Sequence, residues 1–182
     1  KLEGTDFTGS MIIGHQTTGT LDAAEKNTAV GISSLDAITT GDENTAIGNN
    51  SLTSNTTGVT NTASGYASLQ FNTTGNSNTA SGAITLKANT TGSNNTASGY
   101  ASLQINTTGS KNTASGVTSL QNNTTGVTNT ASGYGSLQQN TTGNSNTALG
   151  DQAGDVITTG SNNVLIGKGT NPSANNATNQ IV

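Results

Sequence analysis

Residues 61–77 read "NTASGYASLQFNTTGNS", residues 95–111 read "NTASGYASLQINTTGSK", and residues 129–145 read "NTASGYGSLQQNTTGNS". The stretches between them say the same thing with a few letters changed, as in "NTASGAITLKANTTGSN" at 78–94. The glycine that closes "NTAxG" recurs at Gly14, Gly31, Gly48, Gly65, Gly82, Gly99, Gly116, Gly133, Gly150 and Gly167, a constant 17-residue step. A strict period without a slip is the signature of a solenoid in which one repeat is one coil. Ten registers fill residues 10–179, residues 1–9 form a lead-in, and 180–182 begin a further coil. The expectation is that the chain is a piece of a longer protein, cut short inside a coil.

Other columns keep the same step. A second glycine column runs from Gly41 to Gly160, a leucine column from Leu35 to Leu137, and an alanine column from Ala29 to Ala148. Two glycines, β-branched Thr and capping residues in every repeat argue against helix. Short alternating stretches bounded by Gly and Asn read as strands and turns. The chain is therefore read as all-β: a parallel β-solenoid of ten coils, with two short strands per coil, "NTAxG" and "xSLx". Stacked at the spacing of neighbouring strands, ten coils give a rod on the order of 50 Å long.

In such a stack identical side chains lie one above the next. Asn44, Asn61, Asn78, Asn95, Asn112, Asn129 and Asn146 are predicted to form a ladder of amides along the rod, and Asn55 through Asn140 a second one. The core candidates are Ala63, Ala80 and Ala97 with Leu69, Leu86, Leu103 and Leu120. One Ala and one Leu per coil is a small apolar content against the entropy of ordering the whole repeat. That imbalance favours several chains sharing a core, and hence a homo-oligomer. Hydrophobic residues make up only 29% of the chain and aromatics 3%. That is too little for an ordinary globular interior.

Catalytic vocabulary is sparse. There is no Cys, and hence no disulfide framework or thiolate metal site. His15 stands alone, so no second His exists to activate the many Ser and Thr hydroxyls. Its ordinary reading is a surface or interface residue. Acids are confined to the first and last repeats and are absent from Asn44 to Ala148. That excludes both the Asp-bearing calcium repeat and a carboxylate pair in the middle. No P-loop is present. No cofactor is expected. Net charge is -4 with five Lys and no Arg, so no basic stripe addresses nucleic acid. No apolar run approaches a membrane span, and "KLEGTDFTGS" lacks the apolar heart of a signal peptide. "NTT" from Asn55 onward matches a glycosylation acceptor, but the same Asn suits a ladder at a turn.

Two surface features invite partners. Tyr66, Tyr100 and Tyr134 share one column, two coils apart, where rings could stack on a glycan or simply cover small neighbours. The strand positions flanking the Ala column read Thr–Ser in five successive coils, Thr62 to Ser132, and Thr with Val30, Ile47 or Leu149 outside them. Such a Thr–Ser array resembles the Thr arrays of solenoid antifreeze proteins.

"NTAVGISSLDAITTGDENTAIGNNSLTSNTTG" and "GDQAGDVITTGSNNVLIG" resemble the repeats of bacteriophage tail fibres, especially those of marine phages. They are also similar to the YadA-like head repeats of trimeric autotransporter adhesins, with "NTAIG" at 44–48 and "NVLIG" at 163–167 as the best matches. The opening, through "NTAVG", is similar to the lead-in of such arrays. The resemblance implies a left-handed parallel β-roll or β-helix, three chains about one axis, and an extracellular fibre. A self-cleaving chaperone segment follows the array in some phage members. The 17-residue period, and Ser64 or Ser98 where the adhesins carry an aliphatic residue, depart from the adhesin pattern. The function expected is a non-enzymatic shaft of a phage tail fibre at the virion surface. Its partners would be other fibre proteins and a host cell-surface glycan. The alternatives are the head or stalk of a bacterial trimeric surface adhesin, and an ice-binding protein.

Overall fold

The computed structural model describes residues 11–13 and 24–182. The lead-in 1–9 and His15 lie outside the described residues. The architecture is a parallel β-solenoid with a 17-residue step and about eight turns. Three-residue strands recur at the 17-residue step: β1 Met11–Ile13, β2 Thr28–Val30, β3 Thr45–Ile47, β4 Thr62–Ser64, β5 Thr79–Ser81, β6 Thr96–Ser98, β7 Thr113–Ser115, β8 Thr130–Ser132, β9 Thr147–Leu149 and β10 Val164–Ile166. They form a single sheet in chain order, all pairs parallel and in register, so that Thr79, Ala80 and Ser81 face Thr96, Ala97 and Ser98.

Period-two alternation decides what this sheet buries. The central Ala of every described "TAx" strand has its side chain inside the coil, and the flanking Thr and Ser point away. The other half of the interior is the leucine column. Ala63, Ala80, Ala97, Leu69, Leu86, Leu103 and Leu120 all have zero solvent exposure. They share that interior with two asparagine columns, equally inaccessible. One chain therefore closes its own core, and the sharing of a core between chains that the lean composition suggested is not needed to fill it.

The expectation of two strands per coil is corrected by the backbone. The "xSLx" stretch is a turn, not a strand. The reason lies in two left-handed residues within this stretch of each coil. Ala101 has φ 56° and Leu103 φ 50°, and the same pair of positions repeats along the array, for example at Ala67 and Leu69. Left-handed conformation is rare for residues with a Cβ. Here it bends the chain sharply while the Leu side chain still reaches the core. The stretch nonetheless bonds from coil to coil. Leu103 N–H donates to the Ser119 carbonyl at 3.0 Å and Ile105 N–H to that of Gln121 at 3.0 Å, while Ala101 N–H turns back to Ala83 at 3.1 Å. Neighbouring coils are thus held by backbone hydrogen bonds outside the sheet as well as in it.

Glycine is demanded where the coils touch. Gly99 has φ 125°, and a Cβ there would lie 2.7 Å from the Gly116 carbonyl of the next coil. Gly109 has an ordinary φ, yet its Cβ would lie 2.5 Å from the Gly126 carbonyl oxygen. Real side chains essentially never approach backbone so closely, and the first column is glycine from Gly31 to Gly167 and the second from Gly41 to Gly160.

Candidate functional site

The residues with most to do lie inside. Asn95 opens a coil, and its amide uses its full capacity of two donors and two acceptor lone pairs. Its Nδ2 donates to Asn78 Oδ1 at 3.1 Å and to the Gly109 carbonyl at 2.8 Å. Its Oδ1 accepts the backbone N–H of Asn112 at 3.0 Å and Asn112 Nδ2 at 3.2 Å. The pattern repeats at Asn44, Asn61, Asn78 and Asn112, while from Asn129 to Asn146 the backbone bond alone is kept, at 2.9 Å. Asn27 and Asn163 extend the column in both directions.

The second column is simpler. Asn106 Nδ2 donates to Asn89 Oδ1 at 2.8 Å and to the Gly109 carbonyl at 2.9 Å, and its Oδ1 accepts Asn123 Nδ2 at 2.8 Å. From Gly58 to Gly143 each such glycine carbonyl receives one amide from each column, so the two ladders are tied together once per coil. Burial of a polar group is tolerated when its hydrogen bonds are made, and here the stacking makes them except at Asn140 Oδ1, where the second column ends. The Asn of every "NTT" is among these fully buried residues, so in the folded chain the acceptor reading gives way to the ladder.

A threonine column seals the corner. The Thr124 carbonyl accepts Thr107 N–H at 2.9 Å, Thr108 N–H at 3.2 Å, Gly109 N–H at 3.3 Å and the Thr107 hydroxyl at 3.0 Å. Ser102 stays local and donates to the Gly99 carbonyl at 3.2 Å.

Outside, two columns stand free. The Thr–Ser face of β4 through β7 is exposed at both flanking positions and aligned in register. Tyr66, Tyr100 and Tyr134 are each 56% exposed, which places all three rings in equivalent settings on the surface. Four positions after the tyrosine column a run of glutamines is hydrogen-bonded along the rod: Gln121 donates to Gln104 and Gln138 to Gln121, both at 2.9 Å. The ion pairs seen among the described residues are peripheral, and in the middle of the array Lys87 lies over the Phe71 ring, 5.8 Å from its centroid. Lys26–Glu43 and Lys168–Asp151 are solvent-exposed pairs near either end, worth little to stability. Among the described residues, no group of three His, Cys, Asp or Glu side chains converges to hold a metal.

Sequence reasoning located the ladder and core columns by period alone. It missed the left-handed leucines, for which Leu carries no signal, and the backbone N–H that the first column captures. Comparison of the chain with family models, curated proteins and solved structures yields no match.

Proposed function

We propose that this chain is a rigid spacer, a segment of the shaft of a phage tail fibre or similar virion appendage that holds a receptor-binding end away from the particle. The observation that carries this reading is the identity of the joint between successive coils. The backbone bonds and the threonine hydroxyl repeat from coil to coil, and between Asn55 and Asn140 both asparagine columns join each coil to the next. A rod whose neighbours are all joined alike has no natural hinge, and its stiffness extends along its length. The interior columns are buried, and their polar groups are committed to holding coils together.

In the full fibre we place three copies about one axis, each a left-handed roll, together with other fibre proteins. The strand face is the natural contact, because it turns Val30, Ile47, Leu149 and Ile166 outward at its ends. The head or stalk of a bacterial trimeric adhesin would use the same mechanics.

Sedimentation velocity tests both parts. A mass of three times 18.0 kDa with a frictional ratio well above that of a sphere is the expected result. An elongated monomer would remove the trimer and keep the rod. A compact particle of any mass would overturn the spacer reading.

A second reading rests on the Thr–Ser face alone. Hydroxyls repeated in register on a parallel sheet present a regular lattice to water, which suits an ice surface. Thermal hysteresis abolished by Thr96→Tyr would support it, and absence of hysteresis would dismiss it.

A further inference from the structure

The tyrosine column follows a rule that packing alone does not ask for. Wherever the sixth residue of a coil is Tyr, the seventh is minimal: Tyr66–Ala67, Tyr100–Ala101, Tyr134–Gly135. In the coil between the first two the sizes reverse, to Ala83–Ile84, and in the coil between the second and third the ring is replaced by the smaller Val117 beside Thr118. Ala67 and Ala101 are buried, while the rings beside them remain more than half in water. Bulk is therefore moved outward in alternate coils, and the rings stand apart as separate flat platforms. Two coils set the rings about 9.5 Å apart along the rod.

The surroundings are neutral and rich in amides. Between Asn44 and Gly150 the only charged residues are Lys87 and Lys111. The Gln138 amide oxygen lies 3.7 Å from where a Cβ of Gly135, the residue after Tyr134, would stand. Gln138 is the end of the hydrogen-bonded run Gln104–Gln121–Gln138.

We propose that Tyr66, Tyr100 and Tyr134 with this glutamine run form a binding stripe for an extended, uncharged β-linked polysaccharide lying along the rod. The apolar face of a sugar ring stacks on an aromatic ring, and its hydroxyls exchange hydrogen bonds with side-chain amides. In an extended β-linked chain the disaccharide is the repeating length, and it is close to the ring spacing. Every second sugar then meets a platform, and the neutral surface neither attracts nor repels a neutral chain. A peptide strand would instead seek free backbone edges, which the stacked coils do not offer along this face. The inference goes beyond the spacer role and does not depend on it.

The chain has 3 Tyr and no Trp, so its intrinsic fluorescence reports on this column alone. Cellohexaose, xylohexaose and N-acetylchitohexaose are the probes, titrated against the full chain. At least one is expected to shift the tyrosine signal, with affinity rising from its disaccharide to its hexasaccharide as further rings engage. Tyr100→Ala is expected to weaken hexasaccharide binding about three- to tenfold, with Tyr100→Phe restoring it. Tyr100→Ala with Val117→Tyr keeps the ring count but breaks the spacing, and is expected to bind no better than Tyr100→Ala. Unchanged far-ultraviolet circular dichroism shows that these surface variants remain folded. No response to any of the three hexasaccharides, or affinity indifferent to ring spacing, would overturn the proposal while leaving the shaft reading intact.

Discussion

The two asparagine columns look interchangeable as sequence, yet the chain treats them differently. The first runs without interruption from Asn27 to Asn163. The second runs from Asn55 to Asn140 and gives way to isoleucine at both ends, Ile38 and Ile157, which are as deeply buried as the asparagines they replace. The first column captures a backbone N–H in the next coil, whereas the second bonds only to itself and to the glycine carbonyl. A ladder that also completes the main chain has no apolar substitute. One that only satisfies itself can be exchanged for a hydrocarbon of similar size, because removing both partners of a buried hydrogen bond costs little compared with stranding one. The join shows the cost of stranding: below Ile157, Asn140 Oδ1 is buried with no hydrogen-bond partner.

This contrast can be broken most directly by making the same change in both columns. Asn95→Ile should be the most damaging. It strands the Asn112 backbone N–H and the neighbouring amides, at a cost of about 3–5 kcal/mol. Asn106→Ile should cost roughly 1–2 kcal/mol, since it recreates what Ile38 and Ile157 already do but leaves a ladder partner on each side. Thermal melting ranks the two, and hydrogen exchange locates the damage. The Asn112 amide should lose protection in Asn95→Ile, and no backbone amide should do so in Asn106→Ile. Equal losses of stability would remove the distinction between the columns.

Smaller effects sharpen it. Asn95→Ala with Asn112→Ala should lower the melting temperature more than Thr107→Ala with Thr124→Ala. The threonine hydroxyl adds only one bond to a carbonyl that already accepts several N–H groups. Equal or reversed effects would show that the amide ladder is not a main support. Ile157→Asn should be the mildest, within about 1 kcal/mol of the parent, because the amide it offers to Asn140 Oδ1 offsets the apolar burial it gives up. A strong destabilisation there would mean that the hydrocarbon ends of the second column are required rather than tolerated.

The last described coil supports the same logic. Residues 163–179 place Asn171 in the leucine column, Ala174 in the second asparagine column and Ala177 in the second glycine column. The chain still traces the coil, with Gly154 N–H on the Thr170 carbonyl at 2.8 Å and Thr158 N–H on that of Asn175 at 2.9 Å. Asn163 of the first column keeps its bonds to Asn146 Oδ1 and to the Ala177 carbonyl. Side-chain columns can be exchanged one by one while the backbone joints and the first ladder persist.

By itself the sequence determined the period, and with it the stacking. A fixed step repeated without a slip forces identical residues into register and places Asn, Ala and Leu in columns. It also made strands of "TAx", because alternation around a small residue leaves one way to face the core. Only the tertiary structure decided that "xSLx" is a corner with Leu in a left-handed conformation, since that strain is tolerated only when coils on both sides bond to it. It decided too that one chain closes its own interior, where counting Ala and Leu had suggested otherwise. Amides count as polar in composition, but stacked in register with donors and acceptors matched they fill a core as fully as hydrocarbon.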